Sequence, residues 1–406
     1  MAKAVKAAVV GAVITFAVVA TGGLLAPTIF TMSALSSAAL TFATTLVAAG
    51  IGMMTSKGIE ATTANFGTKV TKRGALNARQ IIYGETRVGG TMTFMRTTGT
   101  DNHNLGIYIV FAGHEVDSFT SLHINDVTAT LANSTQSGAG TDNKIYRVTN
   151  SQFLNTDNSN NFGSGSLMRF TFHDGSQTAR DFVANDTHGN SIIDSNFILQ
   201  GCAYMYVEFI YDSEKMPSLP KITMTIKGKK VYDPRLDSTV TSGSGSHRLT
   251  TASTHAWSDN PALHILDFLT DTTYGLKSTA SEVNLSLAAG GFMSAANTCE
   301  QSVTIASVAE ERYTSNGFSN MSAKGEGIIE GILSSCGGKL TFTNGTFNVF
   351  VAAAQTPSLT VTDSDLLSAV AVSRNTRSNE LFNSIKALYV DKTNNYIGTD
   401  TPELAN

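Results

Sequence analysis

Histidines and cysteines are the first residues of this chain to consider for catalysis or metal binding. Of the eight histidines, His103, His114 and His123 lie near one another, but their spacing lacks the rhythm of zinc ligands. The cysteines form no C-x-x-C pair, and their odd number excludes a complete disulfide framework. We therefore expect buried, small apolar residues at Cys202, Cys299 and Cys336.

Paired carboxylates could act as general acid and base. Asp267 and Asp271 lie one helical turn apart, and Asp363 and Asp365 stand at a capping position, so solvated or capping roles are the commoner explanation. The glycines around Glu326 resemble a phosphate loop only faintly, because that carboxylate would repel phosphate. The sequence predicts no catalytic, cofactor-binding or metal-binding residue, no cofactor, and a protein that is not an enzyme.

Composition indicates β structure with neutral surfaces. Charged residues make up only 15% of the 406-residue chain, and the net charge of -4 offers no electrostatic basis for binding duplex DNA. Abundant Thr, Ser and Asn favour strands joined by polar turns. The length suggests two or three domains. We expect a mainly β fold with an α+β C-terminal part.

An apolar segment, residues 1–56, precedes the rest and contains no acidic residue. Its two runs, Val5–Ala20 and Ile29–Met54, are each long enough, or nearly so, to cross about 30 Å of hydrocarbon as helices. Three interpretations remain open: a secretory signal, a membrane hairpin, or a helix pair buried in an assembly. In the membrane-hairpin interpretation, or if a buried helix pair is released on infection, residues 5–54 would contact a host membrane.

The middle of the chain alternates in strand fashion. LGIYIVFA at Leu105–Ala112 predicts a strand covered on both faces, and the polar, glycine-rich segment Asn133–Asn143 predicts a long loop or an exposed edge of an insertion. Lower apolar density marks 122–197 as an inserted β subdomain. The flanking stretches, 57–121 and 198–237, would then close into a first domain, a tube-like β-barrel or sandwich.

Helical signals follow a predicted linker at 238–257, which is rich in Ser, Thr and Gly. Pro261 after a polar cap predicts a helix through Leu269, and further helices are predicted at 292–299 and 326–335. Asn344-Gly345 between two alternating runs predicts a hairpin with a type I′ turn. We assign 258–406 to a second domain of helices plus a β-hairpin.

The stretch around which the rest is organised is Asn77–Phe94, NARQIIYGETRVGGTMTF, which predicts strand, tight turn and strand. ARQIIYGETRVGG resembles the start of the central tail hub proteins of long-tailed bacteriophages, the phage lambda J-like tail tip family. Further segments resemble that family in the same order, so the resemblance spans about 74–392. They are Tyr108–Asp126, Lys221–Arg235, Ala256–Leu276 and Gly327–Phe350.

The resemblance implies a homotrimeric ring at the tail tip of a virion, assembled in the host cytoplasm. Each subunit would supply two tube-like β domains. Expected partners are the distal tail protein, the tape measure protein and other tail tip proteins, with DNA only as passing cargo. Family members often run longer, so we expect either a second gene product or a longer chain to complete the domain that reaches Asn406.

Two other functions compete with the tail hub. One is an exported, membrane-anchored β-rich adhesin, for which cleavage near residues 20–26 would be diagnostic. The weaker alternative is a tail-associated cell-wall hydrolase, which a zymogram would reveal.

Overall fold

The computed structural model describes residues 72–73, 77–137, 144–184, 193–305 and 307–354, and then 362–365, 383–386, 388–392, 394, 396–401 and 403–405. These residues belong to one compact unit, Ala64–Asn406. The predicted apolar helices of 1–56 lie outside the described residues. Within the described ranges, no helix combines the length and apolarity that a membrane crossing requires.

Strands dominate the described part of the chain, and the α-helices lie in its C-terminal part, which confirms the predicted fold class. The helices are α1 Pro261–Thr270, α2 Phe292–Cys299 and α3 Gly325–Ser335. Short 3₁₀ turns lie at Thr100–Asn102, Ser151–Phe153, Pro234–Leu236, Ala252–Thr254, Ala280–Glu282 and Asp363–Asp365. The strands are β1 Lys72–Arg73, β2 Gln80–Tyr83, β3 Glu85–Val88, β4 Thr91–Thr98, β5 Asn104–Ala112, β6 Ser118–Ile124, β7 Val127–Thr128, β8 Leu131–Ser137, β9 Lys144–Val148, β10 Met168–His173, β11 Ala203–Ile210, β12 Ile222–Lys227, β13 Lys230–Val231, β14 Ala256–Trp257, β15 Ser302–Ile305, β16 Val308–Glu311, β17 Gly317–Asn320, β18 Lys339–Thr343, β19 Thr346–Phe350, β20 Ser384–Ile385, β21 Leu388–Asp391, β22 Ile397–Asp400 and β23 Leu404–Ala405.

Two sheets pack face to face as a sandwich, which is one of the two forms predicted for the first domain. A seven-stranded sheet has the order β1-β4-β5-β11-β10-β9-β8, and a four-stranded sheet has the order β3-β12-β6-β7. Ile107 and Val207 of the first sheet meet Met224 and Ile226 of the second in one buried core. Alternate residues of each strand face this core because side chains alternate across a strand.

The seven-stranded sheet is covered on both faces at its centre. All eight residues of β11 are buried, so this strand reads as a continuous apolar run. Val207 faces the sandwich core, whereas Tyr206 belongs to a second cluster with Tyr108 and Tyr204. The segment that covers this second face includes Val183 and Ile193.

Strands from the predicted insertion, 122–197, continue the same sheet. Strand β10 pairs with β11 along six residues and with β9 on its other side. Strand β8 lies at the sheet edge and includes Asn133–Ser137. Of the two predicted forms of this polar segment, these residues adopt the edge rather than the loop, and 138–143 lie outside the described residues. An edge strand tolerates polar side chains because no further strand lies beside its outer edge. The domain boundaries themselves stay predictions.

The C-terminal helices pack around a separate core, here called the helical layer. Helix α1 begins as predicted: Pro261 occupies its first turn, and the Asn260 side chain accepts a hydrogen bond from the Ala262 amide. Leu263, Leu266 and their neighbours are buried against α2 and α3. The predicted hairpin is confirmed as β18 and β19, with positive φ at both turn residues, Asn344 and Gly345.

The predicted linker is a folded loop over most of its length. The Ser238 amide donates to Gly245 O, and the Gly243 amide donates to Val240 O. The buried carboxylate of Asp237 accepts from Tyr232 Oη at 2.7 Å and from Arg248 Nη1 at 2.8 Å. A composition of Ser, Gly and Thr suits tight turns as well as flexible chains, which is why composition alone predicted flexibility here.

The chain changes layer at Gly84. Strand β2 pairs with β17 and buries Ile81 and Tyr83 in the core of the helical layer, whereas β3 pairs with β12 in the four-stranded sheet. Gly84 has φ +64°, and a Cβ there would lie 2.3 Å from Ser315 O and from Asn316 Oδ1. Glycine is therefore required both by the backbone angle and by the close approach.

Candidate functional site

A set of buried polar contacts joins the sandwich to the helical layer, and we call it the polar junction. Its centre is Lys229, which follows β12. The Lys229 ammonium donates to Asp267 Oδ2 at 2.7 Å and also to the Asp271 carboxylate, one turn further along α1. All three side chains are largely buried, with 17%, 7% and 13% exposed, so the charges are weakly screened.

Tyr83 of β2 extends this network. Its hydroxyl donates to Asp267 Oδ2 at 2.6 Å, and burial, followed by the charge of Asp267, raises the pKa of Tyr83 well above its ordinary value. Burial alone would lower the pKa of Lys229, but the charges of Asp267 and Asp271 outweigh it and raise that pKa. The lysine is thus held protonated and the tyrosine neutral.

His114 lies beside this network as a neutral, oriented side chain. Its Nε2 accepts from the Ile82 amide at 2.9 Å, which leaves Nδ1 to donate to Glu115 O at 2.7 Å. Because both ring nitrogens are used, a single neutral tautomer satisfies them. Burial lowers the pKa of His114 to about 4, so it stays uncharged near neutral pH.

Further contacts close the junction at its edges. Trp257 donates from Nε1 to Gly84 O at 3.2 Å, and the Lys227 ammonium lies 4.5 Å from the centroid of the same indole. Tyr274, just after α1, donates to Gly113 O and accepts from Arg79 Nη1. Each of these contacts links the sandwich side to the helical side.

The junction is suited to holding two layers in register. Both carboxylates accept from Lys229, and both nitrogens of His114 are hydrogen-bonded, so neither the carboxylates nor the imidazole is free to act as a general base. Asp267 and Asp271 were predicted to be solvated or capping. Solvation was wrong, because Lys229 approaches from a different part of the chain, whereas Asp271 does also accept from the amides of Thr273 and Tyr274.

The other residues considered from the sequence lie apart from the junction. His123 lies between Thr225 and Thr128 in the four-stranded sheet, and His103 sits at the end of the seven-stranded one. Asp365 accepts from the Thr362 amide, as predicted for a cap. Among the described residues, no group of three His, Cys, Asp or Glu is arranged to hold a metal ion.

The three cysteines and Arg87 have clear environments. All three thiols are free and buried, as predicted, and burial raises the pKa of Cys299 to about 12. The sequence alone is compatible with a surface position or an intersubunit ion pair for Arg87, but this residue is buried and binds Asp126 and Thr223 within the chain. Arg374 and Arg377 lie outside the described residues.

Sequence reasoning missed Lys229, Tyr83 and Trp257 as junction residues. The usable signal was the spacing of Asp267 and Asp271, which places two carboxylates on one face of a helix that also carries buried leucines. When two such carboxylates are buried, they require a positive charge beside them. The sequence does not reveal which lysine or arginine provides that charge.

Comparison with known proteins gives a structural likeness. No family model matches the chain, and no curated protein matches it. A solved chain from a structure described as "Virion of native gene transfer agent (GTA) particle" aligns with a TM-score of 0.47 and 11% sequence identity. The alignment covers 84% of this chain and 67% of that chain. At this score and identity the likeness does not establish a shared fold.

Proposed function

We propose that this chain is a structural protein of a phage-type virion. In this proposal it forms the trimeric central hub of the tail tip, closes the tail tube, and gates the passage of the tape measure protein and DNA. The observation that carries the proposal is the origin of the polar junction. It is built by the same segments that resemble tail hub proteins in sequence.

Four of the five resembling segments supply a part of the junction. Tyr83 and Gly84 come from the first, and His114 comes from Tyr108–Asp126. Lys229 lies in Lys221–Arg235, and both Asp267 and Tyr274 lie in Ala256–Leu276. The fifth segment forms α3 and the β18–β19 hairpin, which pack in the helical layer. Segments that are scattered in sequence thus form one structural unit.

A unit of this kind suits a mechanical role. Its polar groups are mutually satisfied, so the layers move together and transmit force without a chemical step. The proposed partners are two further copies of the chain, the distal tail protein, the tape measure protein and other tail tip proteins. The proposed location is the tail tip of the virion, after assembly in the host cytoplasm.

The test is the mass of the purified full-length chain in solution, measured by light scattering. A mass three times that of the 42.9 kDa chain would support the ring. A monomer at every concentration, together with no labelling of tail tips by an antibody against the chain in electron micrographs of particles, would overturn the proposal.

A further inference from the structure

A cleft of about 400 Å³ opens between the two sheets of the sandwich. Strand β6 of the four-stranded sheet forms one wall, and β9 and β10 of the seven-stranded sheet form the other. Pockets of this size and mixed lining are typical of binding sites. The polar junction does not include any of the residues that line it.

The floor of the cleft is a row of half-buried aromatic rings. The ring centroids of Phe119 and Phe172 are 5.5 Å apart, and those of Phe172 and Tyr146 are 5.3 Å apart. Because neighbouring rings already touch, no gap remains in which a cation could be caged between them. The row instead offers a flat apolar surface, with Leu131 and Met224 beside it, and this suits an aromatic ring better than a charged group.

The rim of the cleft is polar and acidic. Asp117 and Asp174 stand at its edge, and Ser118, Thr120 and Ser121 supply hydroxyls. An occupant that fits both parts would place an aromatic ring on the floor and neutral or cationic groups at the rim.

The chain itself displays such a group on the β18–β19 hairpin. Phe342, two residues before the turn, is 61% exposed. Its ring contacts that of Phe347, with the two centroids 4.7 Å apart. The turn between the strands is Asn344-Gly345, and the only ionisable side chain in 339–350 is Lys339. Lys339 lies about 10 Å behind Phe342 and on the opposite face of the strand, so the groups next to Phe342 are the neutral side chains of Thr341, Thr343 and Asn344.

The hairpin is anchored in the helical layer of its own chain. Val349 is buried in that layer, and its amide donates to Gly290 O. The junction fixes this layer against the sandwich, and no residue of 339–350 lines the cleft of the same chain.

We propose that Phe342 of one copy inserts into the cleft of the next copy. This inference rests on the proposed trimer and names its contact. Hairpin and cleft are different surfaces, so the contact is heterologous, and heterologous contacts close into rings when the rotation permits. A buried aromatic side chain in a pocket is the usual energetic centre of such an interface.

The first experiment compares three full-length variants by light scattering over a dilution series. Phe342→Ser removes the inserted ring, and Thr120→Trp fills the cleft from an exposed position without altering the core. Each is expected to raise the concentration for half-assembly by about tenfold or more. Tyr211→Ser, which removes an aromatic side chain that is 58% exposed elsewhere, should leave assembly unchanged. Circular dichroism checks that each variant is folded.

A second experiment detects the contact directly. One tagged chain carries Thr343→Cys in the hairpin, and a differently tagged chain carries Ser121→Cys at the cleft. The three native thiols are buried, so oxidation should join the two tags in one disulfide-linked species.

The outcomes separate this inference from the proposed function. A trimer that survives both Phe342→Ser and Thr120→Trp, without cross-linking between tags, would overturn the contact and leave the hub standing. A wild-type chain that remains monomeric at every concentration would overturn the contact and the ring together.

Discussion

Lys229 places one positive charge between two carboxylates in a region that excludes most water. Taking charges out of water is costly, and the cost is recovered only when each charge is paired with good geometry. Here the pairing is completed by Tyr83, which shares Asp267 with Lys229. At the scale of single residues, each buried charge of the junction is stabilised by its contacts with the other side chains.

Replacing Lys229 with Met should destabilise the chain by about 3 kcal/mol or more, because Asp267 and Asp271 would face each other without a counter-charge. Urea denaturation of the full chain measures the loss. Lys221→Met is the matched control, since Lys221 pairs with Asp126 at the exposed surface and should cost less than about 1 kcal/mol. Equal losses for the two variants would contradict the stabilisation described for the junction.

Two buried histidines make stability depend on pH. Burial lowers the pKa values of His114 and His264 to about 4, below the ordinary value of 6.5. The unfolded chain therefore binds more protons between pH 6.5 and pH 4. The stability that these neutral rings contribute is complete above pH 6.5 and is lost as the pH falls towards 4.

We expect the free energy of unfolding to fall by roughly 2 kcal/mol per histidine between pH 6.5 and pH 5. Urea titrations of the full chain at the two pH values measure it. The double variant His114→Gln/His264→Gln should lose most of this dependence, since amides do not titrate. If the free energy of unfolding of the double variant falls with pH as much as that of the wild type, the pH dependence comes from other titratable groups.

At the scale of the elements, helix α1 depends on its N-cap residue, Asn260, which has two functions. Asn260 Oδ1 accepts from the Ala262 amide at 3.0 Å, and Asn260 Nδ2 donates to Ala296 O on α2 at 3.0 Å. The same buried side chain therefore starts one helix and positions it against another.

Asn260→Ala should cost about 2–3 kcal/mol, from the lost cap and from the lost hydrogen bond to Ala296 O. Asn260→Ser retains the cap and should recover about 1 kcal/mol of this. Thermal or urea unfolding distinguishes them. Full recovery with serine would show that the bond to α2 contributes nothing.

Local signals allowed the elements to be predicted, and their absence explains the failures. Pro261 after Asn260, and Asn344-Gly345 between alternating residues, are encoded within a few positions, and both predictions were confirmed. Strand β8 has no apolar alternation from Asn133 onward, because its stability comes from backbone pairing with β9. The junction could not be predicted, since Lys229 and Asp267 meet only after two layers have packed.

At the scale of the whole molecule, the chain passes between the layers at Gly84, as it does again between β12 and β13. Gly84 carries the chain from β2 to β3, and the Glu85 amide donates to Asn316 Oδ1 just beyond it. The turn at Gly345 has a similar backbone, with φ +81°, but a Cβ there would meet nothing within 4 Å. Comparing substitutions at the two glycines therefore separates the cost of backbone strain from the cost of steric crowding.

Gly345→Ala should cost only the backbone term, about 1–2 kcal/mol. Gly84→Ala should cost clearly more, because its Cβ would lie 2.3 Å from Ser315 O and the layers would have to separate. Urea unfolding of the two variants provides the comparison, and equal costs would show that the layers yield easily at this point.

The pairing of β2 with β17 also has a consequence for biosynthesis. Ile82 pairs with Phe318, so the early strand leaves the ribosome long before its partner. At about 5–20 residues per second, the delay is on the order of ten seconds or more. During that interval Ile81, Ile82 and Tyr83 lack the partner strand that covers them in the finished fold. Nascent chains shorter than β17 would therefore be good clients for a chaperone that binds apolar segments.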